Sequence, residues 1–164
     1  HYKIPDAKSK KYMTNVYPAI NQNSTQMAVR YTYGGKQYYQ IYNLANGRFI
    51  NPRNPVKRIC LSATSGDFQG FDLYGSSIYT IEGSPRKSFL RGYDRSRRYQ
   101  PTKIRRYNYA ARSKKTITVR GAKTLSFREP EGIKVLAGRQ IYMMYVSNTL
   151  TNQSCNIYRV KKRI

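Results

Sequence analysis

The chain has 164 residues, of which 31 are Lys or Arg and seven are Asp or Glu, so its formal net charge is +24. The length is ordinary for one domain, and 39% hydrophobic residues permit a sizeable core. The charge excludes an acidic or neutral surface and predicts a polyanionic partner, such as nucleic acid, anionic lipid or a phosphate-rich wall polymer.

The chain opens with a polar, basic segment over residues 1–14, which we interpret as a lead-in. Strand signals then begin at Val16–Ile20 and continue over Met27–Tyr33 and Tyr38–Asn43, where apolar and polar residues alternate. Gly34-Gly35 marks a turn between the last two. Seventeen tyrosines and no tryptophan favour strands over helices and argue against disorder.

Two later segments repeat each other, Gly70–Tyr79 and Gly132–Tyr142. Each has a short apolar strand, a turn that contains Gly, and a second strand that opens with Ile-Tyr. A further strand follows each, Lys103–Tyr107 and Asn156–Val160. A period of roughly 50 to 60 residues with several short strands predicts an all-β fold of propeller-like repeats of antiparallel blades.

The repeat predicts one β-propeller-like domain over residues 15–164, with three blades at about 15–60, 61–120 and 121–164. Three blades fall short of the roughly four that closure requires. Their open edges predict either a homodimer or docking to a missing N-terminal half. Because the chain begins at His1 rather than Met, we interpret it as a processed or truncated product.

The middle copy carries an insertion, Arg86–Gln100, and insertions into repeats map to loops that often form the binding face. Thirteen of residues 86–120 are Lys or Arg, with tyrosines interleaved, and Arg suits the capture of phosphate. The alternative is a basic loop without a defined ligand. The predicted ligand-binding residues are Arg86, Lys87, Arg91, Tyr93, Arg95, Arg97, Arg98, Tyr99, Arg105, Arg106 and Tyr107.

Cys60 and Cys155 are the only cysteines. They are interpreted either as a disulfide, if the protein is exported, or as two buried free thiols. They cannot form a zinc site, because His1 is the only histidine and the necessary ligand clusters are missing. We therefore expect neither a metal nor a cofactor.

The same lack of histidine argues against Ser-His and Cys-His catalysis, so the protein is not expected to be an enzyme. Paired carboxylates leave one alternative, a glycan-active hydrolase that uses Asp72, Glu82 or Glu131. The commoner role of such carboxylates is structural, as acceptors for backbone N–H groups or as partners of Arg.

The segment Phe68–Tyr79 resembles a signature of helveticin-J-like proteins, the large class III bacteriocins of lactic acid bacteria: Gln-Gly, an aromatic residue, Asp, and then a Gly shortly before Ile-Tyr. It is also similar to propellers of phage receptor-binding proteins and of a teichoic-acid-associated protein. The likeness extends in order over roughly residues 15–160. Family members are about twice as long and less basic. The present chain corresponds to their C-terminal half.

The resemblance implies a secreted, non-enzymatic antibacterial protein that binds anionic polymers at the surface of Gram-positive bacteria, teichoic acids or surface glycans. Three alternatives remain beside this one: a basic nucleic-acid-binding protein, a structural protein of the S-layer or wall, and the hydrolase. No RNA- or DNA-binding signature favours the first. No run of about 18 apolar residues predicts a membrane span.

Overall fold

A computed structural model of the protein describes residues 16–62, 67–83, 101–125, 128–148, 153–161 and 164. Within these ranges the fold is all-β, every strand pairing is antiparallel, and each of the three sheets is open. The predicted all-β antiparallel class is therefore confirmed. The chain divides into two compact units, His1–Ala63 and Thr64–Ile164. None of the described residues forms a helix long and apolar enough to cross a membrane.

Unit 1 contains one five-stranded sheet. Its strands are β1 (Tyr17–Ile20), β2 (Gln26–Tyr33), β3 (Lys36–Ala45), β4 (Arg48–Phe49) and β5 (Lys57–Ser62). β1, β2 and β3 are adjacent in that order, and β3 also pairs with β4 and β5. Two-residue turns join the hairpins at Gly34-Gly35 and Asn46-Gly47, and all four of these residues have positive φ, the geometry of the favoured hairpin turns.

Polar side chains fill much of the interior of unit 1. Tyr39 and Tyr42 on β3 are buried, and each donates its hydroxyl to a glutamine two residues earlier on the same face of the strand, Gln37 and Gln40. Gln40 in turn reaches the Tyr31 hydroxyl, with 3.4 Å between Nε2 and the phenolic oxygen. Tyr39 and Tyr42 thus fill the core with hydrogen-bonded hydroxyls.

Unit 2 contains two sheets. The four-stranded sheet runs β6 (Phe68–Tyr74), β7 (Ser77–Glu82), β8 (Thr102–Asn108), β9 (Ser113–Val119). The three-stranded sheet runs β10 (Glu129–Leu136), β11 (Gln140–Asn148), β12 (Gln153–Val160), with a 3-10 turn at Ala137–Arg139 between its first two strands. The strands predicted from the repeat are present, because each copy folds as two paired strands around a Gly-containing turn.

A shared apolar core joins the two sheets of unit 2. Ile81, Ile104 and Ile117 form one row across the first sheet and pack with Val135, Ile141 and Met143 of the second. Equivalent positions of the two copies also meet. A Cβ on Gly70 would lie 3.5 Å from the Gly132 Cα, and Asp72 receives a 2.7 Å bond from the Val135 N–H and a 3.1 Å bond from Lys134 Nζ.

Cys60 lies on β5 in unit 1 and Cys155 on β12 in unit 2, and both are free and exposed. The interpretation as two buried thiols is therefore wrong, because both thiols are exposed. Each cysteine lies on a strand that pairs on one side only among the described strands. Successive side chains of a strand alternate between the buried and the exposed face, and both cysteines occupy exposed positions. The Cys60–Cys155 disulfide stays a prediction.

Candidate functional site

Three of the eleven predicted ligand-binding residues, Arg105, Arg106 and Tyr107, lie within the described chain, on β8. The other eight, from Arg86 to Tyr99, and the lead-in lie outside it. Because successive side chains of a strand point to opposite faces, Arg105 and Tyr107 share one face of the sheet and Arg106 lies on the other. The structure therefore does not bring these three side chains together.

Arg105 serves a structural contact. Its Nε lies 2.9 Å from both carboxylate oxygens of Glu82, whose side chain is 1% exposed. The Thr80 hydroxyl contributes a further bond of 3.4 Å to the same carboxylate. A buried carboxylate needs a cationic partner, so the charge of Arg105 is largely committed to Glu82.

Tyr107 has a different neighbour on that face. It pairs across the strands with Lys114, whose ammonium nitrogen lies 5.9 Å from the centre of the tyrosine ring. This is a cation–π contact within the sheet. The face that carries Arg105 and Tyr107 thus supplies partners for its own cations.

The opposite face carries a continuous row of side chains. Tyr79 on β7 pairs with Arg106 on β8, and Arg106 pairs with Lys115 on β9. This row lies two residues along the strands from the apolar row Ile81–Ile104–Ile117, on the same face. The register therefore places a cationic row directly beside the core of unit 2.

A cleft of about 400 Å³ opens above this row and is called the cationic cleft below. Its lining residues are Tyr74, Arg106, Lys115, Gly138, Arg139 and Ile164. Gly138 and Arg139 come from the turn between β10 and β11, so both sheets of unit 2 contribute to it. Both residues have left-handed backbone angles, φ +69° and +59°, which an arginine adopts only at a cost in free energy.

The cleft concentrates positive charge. Arg106, Lys115 and Arg139 all line it, and no acidic side chain of the described residues forms an ion pair with any of them. Arg106 donates Nε to the Ser77 hydroxyl at 3.1 Å, which leaves its terminal N–H groups for other acceptors. Three cations that line one space without a paired acidic side chain among the described residues favour an anion there.

Tyr79 is the cross-strand neighbour of Arg106 in this row, and its side chain is fully buried. Its hydroxyl makes no hydrogen bond with any described residue. Burial raises the pKa of Tyr79, Tyr74 adds to the rise, and the Arg106 and Arg139 cations oppose it. The phenol is therefore neutral at physiological pH and keeps its hydroxyl proton.

The chain itself explains why this hydroxyl lacks a partner. The tripeptide Gln-Ile-Tyr occurs at Gln40–Tyr42 and Gln140–Tyr142, and in both places the tyrosine hydroxyl donates to the glutamine two residues before it. The middle copy reads Ser77-Ile78-Tyr79. Serine is too short to reach the tyrosine hydroxyl, and it accepts from Arg106 instead.

The acids proposed for hydrolysis have other roles in the structure. Asp72 is buried and bonded to Val135 and Lys134, and Glu82 is bonded to Arg105. Glu131 lies at the surface, where partial loss of hydration and, secondly, the neighbouring Glu129 charge raise the pKa of its carboxyl. Two of the three candidates thus hold structural contacts. Within the described residues no cluster of His, Cys, Asp or Glu is able to hold a metal ion.

Sequence reasoning missed Tyr74, Tyr79 and Arg139, and it included Lys115 only in the count of basic residues. Arg139 comes from a distant segment, so only the packing of two sheets brings it to Arg106. Tyr79 did have a signal in the sequence: the replacement of Gln by Ser within a repeated Gln-Ile-Tyr.

Comparisons with known proteins add little. No family model matches the chain, and no curated protein matches it. Among solved structures the chain is similar to the crystal structure of the tricorn protease, with 9% sequence identity and a TM-score of 0.42. The similarity covers 95% of this chain and 19% of that one, so the chain spans about a fifth of its length. A likeness this weak carries no argument about fold or function.

Proposed function

We propose that this protein binds anionic, phosphate-bearing polymers of the Gram-positive cell envelope, such as teichoic acids. The observation that carries the proposal is the cationic cleft, where Arg106, Lys115 and Arg139 face one space without an acidic partner among the described residues. Arginine and lysine together suit phosphate, because guanidinium groups bind its oxygens in pairs and ammonium adds a mobile point charge.

The overall charge supports a polymer rather than a single small ion. A formal charge of +24 on 164 residues raises the local concentration of any polyanion and speeds its capture. Release of the polymer's counterions then makes the affinity fall steeply with salt. Since this attraction is similar for all polyanions, selectivity must come from shaped sites such as the cleft.

We also propose that the sheets are propeller-like blades. Contacts between equivalent positions of the two copies in unit 2 support this arrangement: Gly70 approaches Gly132, and Asp72 binds Lys134. In a propeller the first strands of successive blades lie side by side in this way. Blades are scaffolds for binding surfaces, which agrees with a role in binding rather than catalysis.

The extracellular location and the bacteriocin-like role rest on the resemblance of Phe68–Tyr79 to helveticin-J-like proteins. The envelope is then the polyanion that the protein meets first. Killing of bacteria would follow from binding, so a killing assay comes after binding has been measured.

The test is sedimentation of the full chain with purified Gram-positive cell walls, before and after extraction of teichoic acids, across a salt series. We expect the protein to pellet with intact walls, to stay in solution with extracted walls, and to dissociate as salt rises. Equal pelleting with both preparations would overturn the assignment to teichoic acid and indicate peptidoglycan or a glycan. Failure to bind either, together with tight binding to an oligonucleotide at moderate salt, would transfer the function to nucleic acids.

A further inference from the structure

We infer that the cationic cleft binds a single phosphate group through the side chains of Arg106, Lys115 and Arg139 and the hydroxyl of Tyr79. This inference deepens the proposed function and rests on it for the polymer that carries the phosphate. The phosphate group is the shared chemistry of a polymer's internal phosphodiesters and its terminal phosphomonoester.

The cross-strand register prepares three of these four groups. Tyr79, Arg106 and Lys115 are direct neighbours on adjacent strands, so their side chains lie side by side on one face. Arg139 approaches from the opposite wall, on the turn between β10 and β11. An anion in the cleft would therefore be contacted from both sheets of unit 2.

Tyr79 is the observation that points to a ligand rather than to a merely basic surface. A buried hydroxyl without a partner costs free energy, and native proteins seldom keep one without a reason. The equivalent hydroxyls of Tyr42 and Tyr142 both have glutamine partners. A phosphate oxygen that accepts from Tyr79 would supply the missing partner, and its negative charge would be balanced by Arg106 and Arg139.

The size and lining of the cleft suit a phosphate with its neighbouring groups. A volume of about 400 Å³ exceeds what a bare phosphate fills and lies within the range of small-molecule sites, roughly 300 to 1,000 Å³. Tyr74, which packs partly buried against the apolar core, lies in the wall beside the cations. This surface suits the carbon atoms of a polyol or sugar beside the phosphate.

The first test follows backbone amide resonances of the full chain by NMR while inorganic phosphate is added, with sodium chloride at matched ionic strength as the control. We expect saturable shifts at Gly138 and Arg139 with phosphate and none with chloride. The amide of Gly47, on a turn of unit 1, serves as the reference and is expected to stay unchanged. Small shifts of similar size at cations throughout the chain, without saturation, would overturn the inference.

The second test uses two pairs of matched variants in the same titration and in wall sedimentation. Tyr79→Phe is compared with Tyr142→Phe, which removes the equivalent hydroxyl of the next copy. Lys115→Gln is compared with Lys114→Gln, which removes the same charge from the opposite face of β9. We expect Tyr79→Phe to weaken phosphate binding about tenfold, because hydrogen bonds to charged groups are strong, and Lys115→Gln about fivefold. The two control variants should change it less than twofold.

The two proposals fail in different ways. If walls bind the native chain but Tyr79→Phe and Lys115→Gln behave as their controls do, the phosphate site is wrong and the wall-binding function stands. If phosphate saturates the cleft but walls do not retain the protein, the site stands and the proposed polymer is wrong. Titration with glycerol phosphate and with a teichoic acid chain then separates the terminal phosphomonoester from the internal phosphodiester.

Discussion

Tyr42 in unit 1 and Tyr79 in unit 2 occupy equivalent places in the same short pattern, yet their hydroxyls differ in what surrounds them. Both side chains are almost completely buried, with exposed fractions of 1% and 0%. The Tyr42 hydroxyl donates to Gln40, whereas the Tyr79 hydroxyl has no partner among the described residues. The two tyrosines differ in the residue two positions earlier, which is Gln40 before Tyr42 and Ser77 before Tyr79. The glutamine accepts the hydroxyl hydrogen bond, and the serine does not.

The same contrast recurs between neighbours on β8. Arg105 is held by the buried Glu82, and Arg106 lies on the other face in the cationic cleft. Composition treats the two arginines as equal. Their roles differ because successive side chains of a strand point to opposite faces of the sheet, and the two faces carry different neighbouring residues. A buried polar group with a partner stabilises the fold, whereas a buried polar group without one costs free energy.

The largest effect on stability is expected when a buried carboxylate loses its cationic partner. Arg105→Gln leaves the Glu82 carboxylate buried without its cation, and we expect a loss of about 2 to 3 kcal/mol in the free energy of unfolding. Arg106→Gln, the matched variant, should change it by less than about 0.5 kcal/mol. Urea unfolding followed by circular dichroism measures both. Equal losses in the two variants would contradict the division of roles between the faces.

Filling the cleft should also stabilise the protein. At a phosphate concentration ten times its dissociation constant, ligand binding adds about 1.4 kcal/mol to the free energy of unfolding. We expect thermal unfolding of the native chain to shift upward in phosphate relative to chloride at equal ionic strength. Lys115→Gln should lose most of that shift, and Lys114→Gln should keep it. A shift of the same size in both would indicate general screening of positive charge.

The two tyrosines should respond to loss of their hydroxyls with opposite signs. Tyr42→Phe removes a hydrogen bond and leaves the Gln40 amide oxygen without its donor, so stability should fall by about 1 kcal/mol. Tyr79→Phe removes a buried donor that has no partner, so without phosphate the stability should stay equal or rise by up to about 1 kcal/mol. Chemical denaturation in a phosphate-free buffer measures the free energy of unfolding of both variants. A clear destabilisation by Tyr79→Phe would mean that the hydroxyl already has a partner.

The smallest effect concerns alkaline pH. Burial raises the pKa of Tyr42 to about 12, against an opposing effect of Arg58. The folded state therefore favours the neutral phenol, and its contribution is complete below the ordinary pKa of 10.0 and is lost as the pH rises toward 12. The stability difference between the native chain and Tyr42→Phe should be largest at pH 9 and shrink by pH 11. An unchanged difference over this range would contradict the raised pKa.

Much of the fold could be predicted from the sequence, because alternation, Gly-containing turns and the internal repeat are local signals. The strand signals at Met27–Tyr33, Lys103–Tyr107 and Asn156–Val160 are confirmed as β2, β8 and β12. The exposure of the two cysteines was not predicted, because it depends on their outward-facing positions on β5 and β12.

The candidate site was harder to predict. Charge density led to the segment Arg86–Gln100, which lies outside the described residues. The cationic cleft instead depends on cross-strand register and on the approach of a second sheet, which places Arg139 in the same cleft as Arg106. Neither relation is local in sequence, so no window of residues contains it. Only the Ser77 departure from the repeated pattern indicated the place.

Asp72 gives the cleft a property that its lining residues do not reveal. Its carboxylate joins β6 to β10 through the Val135 N–H and Lys134 Nζ, three and four residues before Gly138. The two walls of the cleft are thus fastened to each other as the chain folds. A ligand that enters finds its contacts already positioned, so the entropy lost in ordering those groups belongs to folding and does not weaken binding.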